Sequence, residues 1–147
     1  MLFASLSAPL QLLDNGPLAW GLAACGLAQL SKLFIELLIQ RRWRPEVLIE
    51  TGGMPSSHSA LVTGTAAAVG WLNGFDSPVF ALASTVAFVV MYDASGVRRA
   101  AGFTAARVNA LPSGLWDPEP EQALKESLGH SRLEVLVGSL LGPAIAL

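Results

Sequence analysis

The amino-acid sequence predicts an all-α, polytopic membrane domain of about four transmembrane helices with a loop or helical region on the cytoplasmic side. Three observations carry that prediction: an apolar composition, four separate apolar stretches, and basic residues gathered on one side of them. The chain has 147 residues, one domain's length, of which 52% are hydrophobic and 14% charged. Ordinary soluble domains carry about 25% charged residues. A soluble domain this short has little interior and would leave much of its apolar surface in water; lipid removes that problem.

Taken in order, the stretch 2–13 is too short to cross a bilayer alone, so residues 1–16 read as an interfacial helix or an incomplete span. The first long apolar stretch covers residues 18–39, interrupted by Gln29, Lys32 and Glu36. The second covers 60–72, the third 79–92 and the fourth 133–147. A span usually needs about 20 residues, with roughly 17 at the lower end, so the last three must borrow polar neighbours. Residues 73–78 (NGFDSP) string turn formers together and predict a tight turn between two helices. Residues 111–114 and 116–120 predict a further loop. Trp20, Trp43, Trp71 and Trp116 fall near span ends or in loops, where interfacial tryptophans are expected. Gly138 and Gly142 form a small-xxx-small pair suited to close helix packing.

Charge placement is an independent test. If each stretch crosses, Arg41, Arg42 and Arg44 share a side with Arg98, Arg99, Arg107, Lys125 and Arg132. The other side receives Asp14 and Asp76, and the ninth basic residue, Lys32, lies within a span. The positive-inside tendency then places the basic loops in the cytoplasm and both termini outside, in a bacterial inner membrane or an organelle membrane. The net charge of −2, without a basic tail, argues against a nucleic-acid partner. The single cysteine, Cys25, has no internal disulfide partner and sits in an apolar run, which reads as packing. No basic segment precedes the first apolar residues, so no cleavable signal peptide is expected.

Two segments carry candidate chemistry. In residues 51–60 (TGGMPSSHSA), Gly52 and Gly53 let the backbone approach a ligand, and Pro55 suits the first turn of a helix. The helix it opens offers free N–H groups to an anion. Ser56 and Ser57 add hydroxyls and His58 adds a group that titrates near neutral pH. The plainer reading is a helix cap beside an interfacial histidine. In residues 124–135 (LKESLGHSRLEV), His130 and Glu134 are four apart and share a face if the segment is helical. A carboxylate there holds the imidazole in one tautomer and leaves its other nitrogen free, with Lys125 and Arg132 nearby. The plainer reading is an exposed pair worth a few tenths of a kcal/mol.

Together the segments resemble a family. Residues 55–58 (PSSH) look like the Pro-Ser-Gly-His motif of PAP2 phosphatases, with Ser57 in place of glycine. Residues 128–142 (LGHSRLEVLVGSLLG) are similar to the last motif of that superfamily, a histidine, three residues and an aspartate opening a Gly-rich helix. With Met91-Tyr92-Asp93-Ala94 and Gly96-Val97-Arg98-Arg99, the chain from about residue 27 onward resembles the divergent PAP2 group, related to acid phosphatases and vanadium-dependent haloperoxidases. The resemblance implies a membrane phosphatase acting on a phosphomonoester, with a lipid phosphate as substrate. His130 would be the nucleophile, His58 the general acid and Glu134 the residue orienting the nucleophile. Lys32, Ser56, Ser57, Lys125, Arg98 and Arg99 would bind phosphate, supported by Gly52, Gly53 and Asp93. Arg41, Arg42 or Arg44 could serve where the first motif expects an arginine.

Phosphoryl transfer spreads charge over three equatorial oxygens, so basic side chains and a helix N-terminus suit it without any cofactor or metal. The charge topology puts His58 and His130 on one side at similar depth. Asp93 ends an apolar span and has Arg98 or Arg99 as its expected partner. Lys32 and Glu36 are four apart, so Lys32 either pairs with Glu36 or reaches phosphate. A metal site from His58, His130, Asp93 and Glu134 is not favoured by the spacing. Departures from the motif (Ser57, Glu134, Lys125 and a displaced first motif) keep open a non-catalytic membrane protein with a phosphate pocket for lipid binding or assembly. The expected partners are a phosphorylated lipid or small phosphate ester, membrane lipids and further copies of the chain.

Overall fold

The computed structural model describes residues 11, 12, 14–41, 43–48, 52–112, 114–116 and 123–146. Most of the expected interfacial segment 1–16, Arg42, and Ser113 and residues 117–120 of the expected loop lie outside the described residues. Helix α1, Gly16–Ile35, opens where the Asn15 side chain accepts from the Leu18 N–H at 3.0 Å, with Pro17 in its first turn. A π-helical turn, Glu36–Gln40, prolongs it until Arg41 takes a left-handed conformation (φ 52°). Helix α2, Ser57–Asn73, ends at Gly74 (φ 89°). Ser77 then caps helix α3, Pro78–Ser95, accepting from the Phe80 N–H at 3.2 Å, so the predicted turn joins two helices. Gly96 separates α3 from helix α4, Val97–Asn109. Helix α5, Arg132–Ala146, carries Pro143 near its end. The described residues are helical or irregular, without a strand.

Two local expectations are corrected. Pro55 is not in the first turn of α2; Ser56 caps that helix, its Oγ accepting from the Ser59 N–H at 3.3 Å, so the helix begins at Ser57, two residues after the proline. His130 and Glu134 do not share a helix face either. Helix α5 starts at Arg132, leaving His130 in the preceding loop.

Helix α2 is the centre of the bundle, packed against α1, α3 and α5. Small residues allow the backbones to approach. A Cβ on Gly64 would lie 3.1 Å from the Ala24 Cβ and 3.2 Å from the Gly142 carbonyl oxygen. One on Gly142 would lie 2.5 Å from the Ala60 carbonyl oxygen. Ala24, Ala28 and Ala60 are fully buried, with Leu141 and Ile145 packed on them. The Gly138/Gly142 pair therefore seats α5 on α2. Lipid tails are as apolar as leucine, so van der Waals contact between close backbones, rather than burial of large side chains, drives such packing. The large apolar residues point outward instead, among them Leu22, Phe34, Leu38, Phe88 and Leu140. Two stretches, Gly16–Ile39 and Pro78–Asn109, are long and apolar enough to cross a membrane. Helices α2 and α5 are shorter, with 17 and 15 residues.

Candidate functional site

The site forms where α1 and α3 end and where α2 and α5 begin, because the four helices alternate in direction. Its most constrained member is His130, 4% exposed. Its backbone N–H donates to the Ala94 carbonyl at the end of α3, at 2.8 Å. Its Nδ1 lies 3.0 Å from Glu134 Oε2. An ionised carboxylate only accepts, so Nδ1 carries the proton and Nε2 presents a lone pair. The loop before it turns at Gly129 (φ 79°), pressed so closely on the Arg99 backbone that no side chain would fit. The two histidine-bearing segments are tied directly: the Ser56 N–H donates to the Glu134 carbonyl oxygen at 3.0 Å. A Cβ on Gly138 would strike the Ser56 carbonyl, so glycine is what lets them meet.

His58 is the second residue of α2 and precedes its apolar run, so it stands at the mouth of the bundle rather than within a span. It lines a small cleft of about 50 Å³ with Val90, Ala94, Arg98, Gly129 and His130. Burial lowers its pKa below the ordinary 6.5, and the charges of Arg98, His130 and Lys32 push the same way. Arg98 also pairs with Asp93, Nε to Oδ2 at 2.5 Å, in a solvent-exposed bridge. A second, wider cleft of about 340 Å³ lies across the His130 wall, lined by Gly52, Gly53, Arg99, Phe103, Ser127 and Glu134 among others. The Arg99 guanidinium sits 5.4 Å over the Phe103 ring.

Lys32 does not pair with Glu36, which binds Arg44 Nη1 at 3.5 Å. It is 3% exposed and turned toward the site, its stem beside Gly53 and its charge acting on Glu134. Ser56 and Ser57 are buried at the start of α2; Ser56 Oγ also accepts from Ser59 Oγ at 2.9 Å, which occupies it with capping. Lys125 is exposed and lines neither cleft. Arg41 is exposed. Among the described residues no three His, Cys, Asp or Glu side chains converge to hold a metal ion.

A bundle that closes a glycine-rich loop, two histidines and a histidine-bound carboxylate around one mouth is the arrangement the motifs imply. The sequence matches the profile of the Divergent PAP2 family over residues 13–145. The chain belongs to that family. It is also 38% identical over 152 residues to a Bacillus subtilis (strain 168) protein called uncharacterized membrane protein YuiD, covering 94% of this chain and 96% of the relative. No solved structure matches. Membership in the divergent PAP2 family, a membrane protein among its relatives and two long apolar helices make this chain a helical membrane protein.

Sequence reasoning missed three participants of this divergent PAP2 site: Ser131, Gly129 and the Ala94 carbonyl. The first had a readable signal, since Ser131-x-x-Glu134 just before an apolar run is the pattern of a capping box. The other two act through backbone position, which no residue type announces.

Proposed function

We propose that this divergent PAP2 protein is a membrane phosphatase that hydrolyses a phosphomonoester borne by a lipid. The observation that carries the reading is the hydrogen bond from His130 to Glu134 at the wall of the cleft that His58 and Arg98 also line. In this mechanism His130 Nε2 attacks phosphorus as the P–O bond to the lipid breaks. His58 gives its proton to the leaving oxygen. Water then cleaves the phosphohistidine, returning a proton to His58 and releasing phosphate. Lys32 and Arg98 stabilise the equatorial oxygens, which is where such reactions gain most of their rate.

An apolar furrow supports the lipid substrate. Helices α2 and α3 leave a groove of about 430 Å³, walled by residues including Leu61, Val62, Leu82 and Val86. Val62 and Val86 each lie one helical turn from His58 and Val90, which line the histidine cleft. A hydrocarbon tail in that furrow would place its headgroup at the histidines. In this reading all four long helices cross the bilayer, with the site and the basic loops facing the cytoplasm, and the substrate arrives laterally from that leaflet.

The test is phosphate release by purified, detergent-solubilised protein from a panel of lipid phosphates, beside His130→Ala and His58→Ala. The expected result is release that both substitutions abolish. Absence of release from every substrate, or release surviving both changes, overturns the catalytic reading in favour of a headgroup-binding pocket.

A further inference from the structure

Glu134 stands where the PAP2 superfamily motif that this segment resembles has an aspartate, and the hydrogen bonds around it give a reason. A single oxygen, Oε2, accepts from two donors: His130 Nδ1 at 3.0 Å and the Ser131 N–H at 3.1 Å. Ser131 Oγ in turn accepts from the Glu134 N–H at 3.3 Å. Ser131 and Glu134 therefore form a reciprocal capping box at the start of α5, with Ser131 as the cap and Glu134 three residues on. A capping box needs a side chain long enough to reach back over the first turn, which glutamate and glutamine manage. Aspartate, one methylene shorter, reaches one donor at the expense of the other.

We propose that Ser131 is a positioning residue for His130, acting through Glu134, and that position 134 is a glutamate because its carboxylate must cap α5 and hold the imidazole with the same oxygen. The nucleophile's tautomer is thereby set by the start of a helix. The same residue reaches the other histidine, because its backbone carbonyl accepts from the Ser56 N–H, and Ser56 caps the helix that carries His58. This extends the phosphatase reading of His130. The geometry is nevertheless testable without turnover.

The experiment is ¹⁵N NMR of histidine-labelled, full-length protein in detergent. The chain has two histidines, so His58→Gln assigns the spectrum. The parent should show His130 as one neutral tautomer, protonated at Nδ1. Ser131→Ala should give a mixture of tautomers, and Ser131→Thr, which keeps the cap hydroxyl, should restore the parent signal. Glu134→Asp should lose the single tautomer while Glu134→Gln keeps it, since one amide oxygen can accept from both donors. If a phosphate ester is hydrolysed, Ser131→Ala should lower kcat by about 10-fold to 100-fold with KM little changed, as misplacement of a reacting group does. An unaltered tautomer in both Ser131→Ala and Glu134→Asp overturns the proposal, as does loss of the tautomer in Glu134→Gln with retention in Glu134→Asp. A clean tautomer result without any hydrolysis sinks the phosphatase reading and leaves this one standing.

Discussion

The two histidines share a cleft and are held in opposite ways. His130 is buried, anchored through its backbone to α3 and through its ring to Glu134. His58 is half-buried, its ring makes no hydrogen bond among the described residues, and the cations Arg98 and Lys32 act on it. The contrast matches the two tasks proposed for them. A nucleophile must aim one lone pair at phosphorus, and fixed orientation is worth several powers of ten. A general acid must change protonation within each turnover, which a permanent partner would oppose. Rigidity on one wall and freedom on the other are therefore complementary parts of one site.

The strongest way to break this comparison is to remove each ring in turn. His130→Ala eliminates the covalent route, and phosphate release should fall by at least ~10³-fold. His58→Ala should cost about 10²–10⁴-fold on an alkyl phosphate, the usual worth of general acid catalysis. On p-nitrophenyl phosphate, whose leaving group needs no proton, the His58 deficit should nearly vanish while the His130 deficit stays. Steady-state assays on the two substrates measure it; equal deficits on both would remove the acid–nucleophile distinction.

Next comes the spacing between the walls. Gly138→Leu would wedge a side chain against the Ser56 carbonyl and push α5 from the start of α2. Overpacking of this kind costs about 1–3 kcal/mol, read as a lower unfolding temperature in detergent. Activity should fall further than stability alone explains, because the Ser56–Glu134 link that sets the distance between the histidines would open. Gly26, whose Cβ would meet nothing within 4 Å, supplies the control: Gly26→Ala should leave both unchanged.

A gentler probe is pH. The folded chain holds His58 below 6.5, while the unfolded chain protonates it near 6.5. The native state thus binds fewer protons in that window, and His58's contribution to stability, full above 6.5, falls as pH drops through it. An anion among Lys32, Arg98 and His58 reverses the cause by offsetting the positive field. Sulfate, which stays dianionic here, should bind more tightly as pH falls below 6.5, and His58→Gln should flatten that dependence. Calorimetric titration across pH 5 to 8 reads it; an unchanged slope in the variant would place the anion elsewhere.

Much of this was legible in the sequence, for physical reasons. The apolar runs at 18–39, 60–72, 79–92 and 133–147 became α1, α2, α3 and α5, because a helix is the economical way to satisfy a backbone out of water. The PSSH and GHSRLE segments stood out as a candidate site because histidine and carboxylate are rare neighbours in apolar chains, and the structure brings their two histidines to one cleft. Less visible was how the pair is made. An i,i+4 spacing suggested one helix face, whereas the contact runs across a helix cap, and spacing alone does not say where a helix begins. The fate of Lys32 was equally closed: Glu36 meets Arg44, which lies beyond the π-helical turn, while the Lys32 stem lies beside Gly53, and neither contact can be read from an i,i+4 spacing.

The smallest expected effect concerns how freely the cleft's own cation can act. Arg98 lines the histidine cleft while its Nε is held by Asp93. The bridge is exposed at Arg98 and half-buried at Asp93, open enough to water that its contribution to stability should be under ~1 kcal/mol, and Asp93→Asn should barely move the unfolding temperature. Its influence on the site is different in kind. The carboxylate engages the Arg98 Nε and offsets part of the guanidinium's charge. Removing that charge should raise sulfate affinity by a few-fold at low ionic strength, an advantage that salt should erase because the pair is exposed. Turnover need not follow affinity: an arginine that grips the ground state more tightly lowers KM without raising kcat. Tighter sulfate with unchanged or reduced kcat would mark Asp93 as the residue keeping Arg98 oriented for the transition state. Unchanged affinity would mean that the bridge is purely structural and that the anion is held by Lys32 and the start of α2.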